Sequence, residues 1–387
     1  TFNEALEIIE PRTGVASTRL LDPLRGLGYT LAASGRHREA IAPLDRALMI
    51  ARRGHGLFDS SQQGVLRQLA SSLTKTGRSA EAERHINYLM QIAERTYGRT
   101  DPRQVPVLCF AGDWYADTGN FMTARAIYRH AIEVVEGKLG SNDPTAVEPL
   151  RAIARSYTQE LYFSTLGIKT QSRERTPTDA DGTSNESKGI NPRYLSSDGE
   201  KALERALKIL EAPAATDREA LVPTLLQFGD WYQVKHQPDK AMRYYRRAAA
   251  LSAKAGPAPS ATPIAAAAAS ASASAAAREP PPPLSFPVRV YYPTPSQATR
   301  HTTLPREQVD ETFVEVQFTV TNEGDVENAK VTDQSGTPRQ ASEALQAIRA
   351  ARYRPKFVDG EPVETAGMTN REIFRTRKAE GPEDNQS

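Results

Sequence analysis

The sequence is poor in the residues that most often carry chemistry. Its 387 residues hold one cysteine, Cys109. That excludes an intramolecular disulfide and a zinc site built from cysteine pairs, and it fits an oxidising or a reducing compartment equally. Six histidines, at 37, 55, 85, 130, 236 and 301, stand far apart, without the H-E-x-x-H or H-x3-H spacing that puts two imidazoles on one metal. No G-x-x-x-x-G-K-[ST] or G-x-G-x-x-G phosphate cradle and no G-x-S-x-G elbow occurs, so phosphate and acyl-transfer chemistry lack their usual frames. Charge of one sign is missing too: 49 basic against 47 acidic residues leave a net +2, no global footprint for nucleic acid. No apolar run reaches the roughly 18 to 20 residues that cross a bilayer. The first residues, TFNEALEIIEPRTG, lack the basic and apolar regions of a secretory signal. These absences point to a noncatalytic protein without cofactor or metal, working by contact with other proteins.

What is present is a repeat. Small residues recur at Ala40, Ala82 and Ala124 and again at Gly199 and Ala241, with a period of 42 residues on either side of one longer gap. Each opens a pattern such as AIAPLDRALMI, ARAIYRHAIEV or GEKALERALKI, with a large apolar residue four on and an alanine seven on. That spacing lies on one helical face, where small side chains let a neighbouring helix approach. A second helix with the same period runs upstream, marked by Leu24 and Gly28, Leu66 and Ala70, Leu108 and Gly112, Leu150 and Ala154, Leu225 and Gly229. Five helix pairs follow. Gly35, Gly77 and Gly119 fall between the helices of the first three, suited to the left-handed conformation that ends a helix. Phe2, Ala5 and Leu6 lie one period before Leu44, Ala47 and Leu48, so the chain is expected to open inside the second helix of an earlier repeat, with sequence upstream. Trp114 and Trp231, each in a GDWY run, are expected as packing residues, Asp113 and Asp230 as helix positions rather than paired acids, and Cys109 as a buried inert thiol.

This register resembles the tetratricopeptide repeat family, from about Leu20 to Lys254, and its length with YGRTDP and LGSNDP is similar to the kinesin-light-chain variety. The resemblance implies an all-α superhelix whose concave wall is lined one, five and eight residues after the leading apolar site. Here these are Arg25, Tyr29 and Ala32; Arg67, Ser71 and Thr74; Cys109, Asp113 and Ala116; Arg151, Arg155 and Thr158; Leu226, Asp230 and Gln233. Arg25, Tyr29, Arg67, Arg151 and Arg155 are therefore the groove candidates. Guanidinium forks suit an acidic or carboxylate-terminated peptide.

The period breaks at a polar insertion, 164–197, expected as a mobile loop. After the repeat domain (1–254), residues 255–284 are almost wholly alanine, proline and serine, a spacer that suggests independent motion of what it joins. A small α+β unit is expected over 285–376, and a polar tail over 377–387. In it TFVEVQFTVT alternates as a half-buried strand, NEGD turns, and VENAKVTD returns. Ser342 is placed to cap a helix carrying Ala344, Leu345, Ile348 and Ala351, stopped by Pro355, and Glu361 to Arg375 reads extended.

The order YYP, VEVQFTVTNEGDVENAKVTDQS, then SEALQAIRAARYRPKFVDGEPV resembles the C-terminal domain of the TonB energy-transducer family, over about Phe286 to Arg375. That family adds a receptor peptide as an extra strand, which makes Tyr292, Pro293, Thr369, Arg371 and Ile373 the candidates in the head. The resemblance implies proteins or peptides as partners, an outer-membrane receptor among them, and a periplasmic or cell-envelope location. No nucleic acid is expected, and membrane association only through a partner or an anchor upstream. The expected function is a two-ended scaffold; the alternative is an energy transducer whose anchor precedes Thr1.

Overall fold

The computed structural model describes residues 1–166, 195–212, 220–255, 284–295 and 309–377. The insertion at 164–197 is therefore described only at its ends, and the spacer at 255–284 and tail at 377–387 lie outside the described residues except where they meet their neighbours. Among the described residues are twelve α-helices and seven strands. They form two compact units. One comprises residues 1–118 and 123–152, the other 119–122, the described part of 153–257 and the described residues after 280.

The helices pair as the period requires. After α1 (Phe2–Thr13), the pairs are α2 (Leu21–Ala33) with α3 (His37–His55), α4 (Gln63–Lys75) with α5 (Ser79–Tyr97), and α6 (Val105–Asp117) with α7 (Phe121–Leu139). Next come α8 (Val147–Thr165) with α9 (Ser197–Glu211), which flank the insertion, and α10 (Leu221–Val234) with α11 (Pro238–Ala255). Gly35, Gly77 and Gly119 have φ of 75°, 80° and 82°, as expected of helix terminators. A second periodic device joins one repeat to the next. Gly14, Gly56, Gly98 and Gly140 leave the preceding helix with φ between 86° and 99°. Three residues later Ser17, Asp59, Asp101 and Asp143 each accept a backbone N–H of the 3-10 turn that starts the next first helix. The side chain satisfies donors that the helix start would leave orphaned.

Packing runs through the small positions. Ala40, Ala82, Ala124 and Ala241 are fully buried. A Cβ placed on Gly112 or Gly229 would run into the ring of Tyr128 or Tyr245 from the paired second helix; only hydrogen lets these rings come up against the backbone. Hydrogen bonds tie neighbouring repeats. Tyr115 on α6 donates to Glu83 Oε1 of α5 at 3.0 Å, and Tyr232 on α10 donates to Glu200 Oε1 of α9 at 2.7 Å. Trp114 Nε1 donates to Thr74 Oγ1 of α4 at 2.8 Å, and Trp231 is buried with its ring edge-on to Tyr157. Both tryptophans are packing residues, and Cys109 is buried.

The C-terminal head contains β1 (Val288–Tyr291), β2 (Val309–Val320), β3 (Val326–Gln334), α12 (Pro338–Ala350), β4 (Arg352–Arg354), β5 (Lys356–Val358), β6 (Glu361–Val363) and β7 (Thr365–Arg377). The main sheet is antiparallel in the order β3-β2-β7; β1 pairs with β4 and β5 with β6. Val314, Val316, Phe318 and Val320 of β2 are the buried face that the alternation predicted, packed on Ala344, Ala347 and Ile348 of α12. One expectation is corrected. The helix is capped by Thr337, not Ser342: Pro338 presets its first turn, and Thr337 and Gln340 exchange bonds in a capping box.

Gly229→Ala is expected to cost about 1–3 kcal/mol by overpacking against Tyr245. Gly137→Ala, on α7 where an added methyl meets open space, is expected to be neutral or to stabilise by about 0.5–1 kcal/mol. Urea unfolding of the two variants checks both. Burial and then Glu83 push Tyr115 up to about 12 from the ordinary tyrosine value of 10.0. The folded state therefore holds that proton more tightly than the unfolded chain. Its contribution is complete below pH 10 and is lost as pH rises towards 12. Tyr115→Phe should flatten that alkaline decline in a pH series of melting temperatures.

Candidate functional site

The groove candidates lie on first helices. In the first unit, Arg25 on α2 approaches Asp22 at 3.9 Å, and Arg25 and Tyr29 converge on Gly64 of α4. Arg67 on α4 does not stand in the open. Its guanidinium lies 4.5 Å over the ring of Phe110, and its Nη2 donates to the Pro106 carbonyl at 3.3 Å, both on α6. Burial lowers its pKa. Arg151 on α8 donates to Glu148 at 3.0 Å, with its side chain 18% exposed. Arg155, also on α8 but in the second unit, is half-buried. Within the first unit two of the concave positions thus engage the following repeat: Arg67 grips α6, and Thr74 receives Trp114.

In the second unit the last repeat follows the same rule with a different neighbour. Asp230 on α10 occupies the concave position five after Leu225, and Arg354 of β4 forks onto it, Nε to Oδ1 at 3.0 Å and Nη2 to Oδ2 at 2.6 Å. Tyr245 of α11 donates to the same Oδ1 at 2.8 Å. The Arg354 side chain is 8% exposed. Burial, the largest single influence, would lower its pKa, but the Asp230 charge, the hydrogen bonds to Asp230 and the nearby Tyr245 together raise it, so the group stays a cation. Gln233, the next concave position, donates to the Glu323 carbonyl at 2.6 Å in the turn between β2 and β3. Gly324 beside it has φ 85°, and a Cβ there would meet both the Tyr353 carbonyl and the Gln233 amide.

Around this core the contact continues. His236 takes the place that glycine holds in earlier repeats, at φ 57°, a conformation that costs a non-glycine residue about 1 kcal/mol or more. Its Nδ1 accepts from Arg352 Nε at 3.1 Å, the same nitrogen lying 3.1 Å from Asp325. Tyr291 of β1 stands edge-on to His236, and Phe357 of β5 edge-on to Tyr245. Arg246 of α11 pairs with Glu361 of β6 at 3.0 Å on the exposed rim. The head is therefore seated on the last repeat, where the spacer's composition had suggested independent motion. Sequence reasoning placed Asp230 and Gln233 on the concave wall but missed Arg352, Arg354, His236 and Tyr245; the histidine standing where glycine recurs was the one local signal.

Of the head candidates, Tyr292 is a core residue. Its hydroxyl donates to Glu372 Oε2 at 2.6 Å, and Arg289 lies 4.6 Å over its ring. Pro293 follows it, half-buried. Thr369, Arg371 and Ile373 share the exposed face of β7, paired through the backbone with Gln317, Glu315 and Phe313 of β2. Arg371 stacks 3.6 Å over Phe313. Strand β7 has β2 on one side, and no strand lies on its other side among the described residues. Among those residues, no three His, Cys, Asp or Glu side chains group as a metal site, and no helix is long and apolar enough to cross a membrane.

The architecture is that of a helical-repeat array carrying a small sheet-and-helix head. Residues 62–137 match the tetratricopeptide repeat family model, and residues 306–375 match the family described as Gram-negative bacterial TonB protein C-terminal. No curated protein matches the chain. Among solved structures, kinesin light chain TPR-like repeats from Podosopora anserina are similar at 15% identity and a TM-score of 0.43, over 61% of this chain and 96% of that one. BtubC (BKLC) from P. vanneervenii is similar at 15% identity and a TM-score of 0.43, over 67% of this chain and 89% of its own. Tetratricopeptide repeats suggest protein–protein interaction, and the TonB C-terminal family suggests an envelope-related partner.

Removing the guanidinium should cost far more than removing a charge at the rim of the same contact. Arg354→Ala is expected to destabilise by about 3 kcal/mol, the lower end for a buried pair because Asp230 keeps a water-facing edge. Arg246→Ala, at the exposed rim, should stay within about 0.5 kcal/mol. Denaturant unfolding of the full chain separates the two.

Proposed function

We propose that this chain is a noncatalytic adaptor of the bacterial cell envelope. Its repeats hold one protein, and its head takes an extended segment of an outer-membrane or periplasmic partner as an added strand. The observation that carries the reading is the side of β7 on which no strand pairs among the described residues, in a domain that matches the TonB C-terminal family. An edge strand presents a row of backbone donors and acceptors that a partner strand satisfies, with side chains supplying selectivity. Thr369, Arg371 and Ile373 would then flank the incoming segment on one face. In the first unit the repeat face would use Arg25, Tyr29, Arg67 and Arg151 for a carboxylate-bearing peptide, at the cost of releasing contacts that Arg67 and Arg151 already make, and in the second unit Arg155 would offer the same group.

Hydrogen exchange of the full chain, with and without a synthetic periplasm-facing segment of an outer-membrane receptor, tests the head. Slowed exchange at alternate β7 amides is expected, and a peptide with proline at alternate positions should lose the effect. Protection absent from β7 would overturn strand addition. On the repeat face, the double variant Arg67→Ala with Arg151→Ala should lower capture of an acidic C-terminal peptide at least tenfold in a fluorescence anisotropy titration.

A further inference from the structure

The surfaces that seat the head on the last repeat belong to two pieces of chain, α10–α11 and the elements after Leu284, joined in sequence by the segment 256–283. On one side, Asp230, Gln233 and Tyr245 form a socket; on the other, Arg354 and the Glu323–Gly324 turn fill it. The fit is chemical as well as steric. A two-point fork meets a carboxylate already oriented by the Tyr245 hydroxyl, and an amide N–H meets a carbonyl. Such pairing is specific to an arginine on an extended strand: a lysine offers one point charge where the carboxylate presents two oxygens. Nothing in these contacts depends on the head and the socket sharing a chain. A segment as long as 256–283 can span at most on the order of 90 Å, a reach that lets a head leave its own socket for another.

We infer that the socket is a recognition site for an arginine-bearing strand, and that the head of a second copy of this chain occupies it by the same contacts, giving an exchanged dimer. Within one molecule the resident head acts at an effective concentration on the order of millimolar. The closed monomer therefore dominates in dilute solution, and exchange emerges when the internal contact is disabled or the protein is concentrated. This inference stands apart from the envelope reading, since it needs no outside partner.

Charge exchange between two full-length chains tests it. Asp230→Arg sets two guanidiniums against each other within its own chain, and Arg354→Asp sets two carboxylates. Mixed, the substituted socket of the first meets the substituted strand of the second. Sedimentation should show each variant alone as a monomer, the equimolar mixture at dimer mass, and a chain carrying both substitutions as a monomer again. A mixture that stays monomeric while both variants keep wild-type helix content overturns the inference. Should either variant fail to fold, wild-type chains in light and 15N-labelled forms are mixed at about 1 mM, diluted and weighed by native mass spectrometry. Mixed-mass dimers support exchange, and monomers at every concentration overturn it.

Discussion

The contact between Arg354 and Asp230 governs how the second unit is put together. A guanidinium drawn out of water must recover its lost hydration from fixed partners, and several neighbouring features serve that need. Asp230 supplies two oxygens, and Tyr245 holds one of them by hydrogen bonding. Tyr245 reaches that position because Gly229 has no side chain to keep its ring away. Gly324 lets the β2–β3 turn close on Gln233 without a collision. A change at any of these positions is felt at the ion pair, although only two of the residues carry charge.

The same logic runs through the repeats. Asp113 and Tyr128 reproduce the arrangement of Asp230 and Tyr245, hydroxyl to carboxylate at 2.7 Å beside a glycine that lets the ring in. The GDWY run is thus a packing motif whose aspartate is held on the concave side by a tyrosine of the paired helix. In the first unit the concave residues Arg67 and Thr74 reach the next helix in line. In the last repeat there is no further helix pair in the described chain, and the head's β4 and its neighbours meet α10 instead. The head stands to α10 as a following repeat would. This accounts for how a repeat array, whose stability comes from each unit covering its neighbour, ends on a domain of another class.

Much of this was legible in the sequence because it is periodic. The 42-residue spacing gave helix pairs, helix-ending glycines and the small positions at the contacts, and the alternation in β2 gave the buried face of the head. What escaped was aperiodic. Arg354 and Asp230 are far apart in sequence across a compositionally biased segment, and pairing at that separation leaves no local mark. Strands β1, β4 and β5 are too short for alternation to register. The cap fell on Thr337 rather than Ser342 because proline at the first helical position outweighs an internal serine. The spacer misled for a different reason: alanine and proline content reports the stiffness of a tether, whereas docking is decided by the surfaces at its ends.

Among the described residues, seating the head on the repeats does not consume the strand edge. The docking bonds and ring contacts come from β1, β4, β5, β6 and the β2–β3 turn, while β7 spends its backbone on β2 along most of its length. A head held through a buried ion pair loses orientational freedom once, on folding, rather than each time a partner arrives. Binding that follows is charged less entropy, the general advantage of a preorganised surface. A flexibly strung head would have to be ordered by its ligand; one clasped by Asp230 already has its edge fixed relative to the helices that carry it.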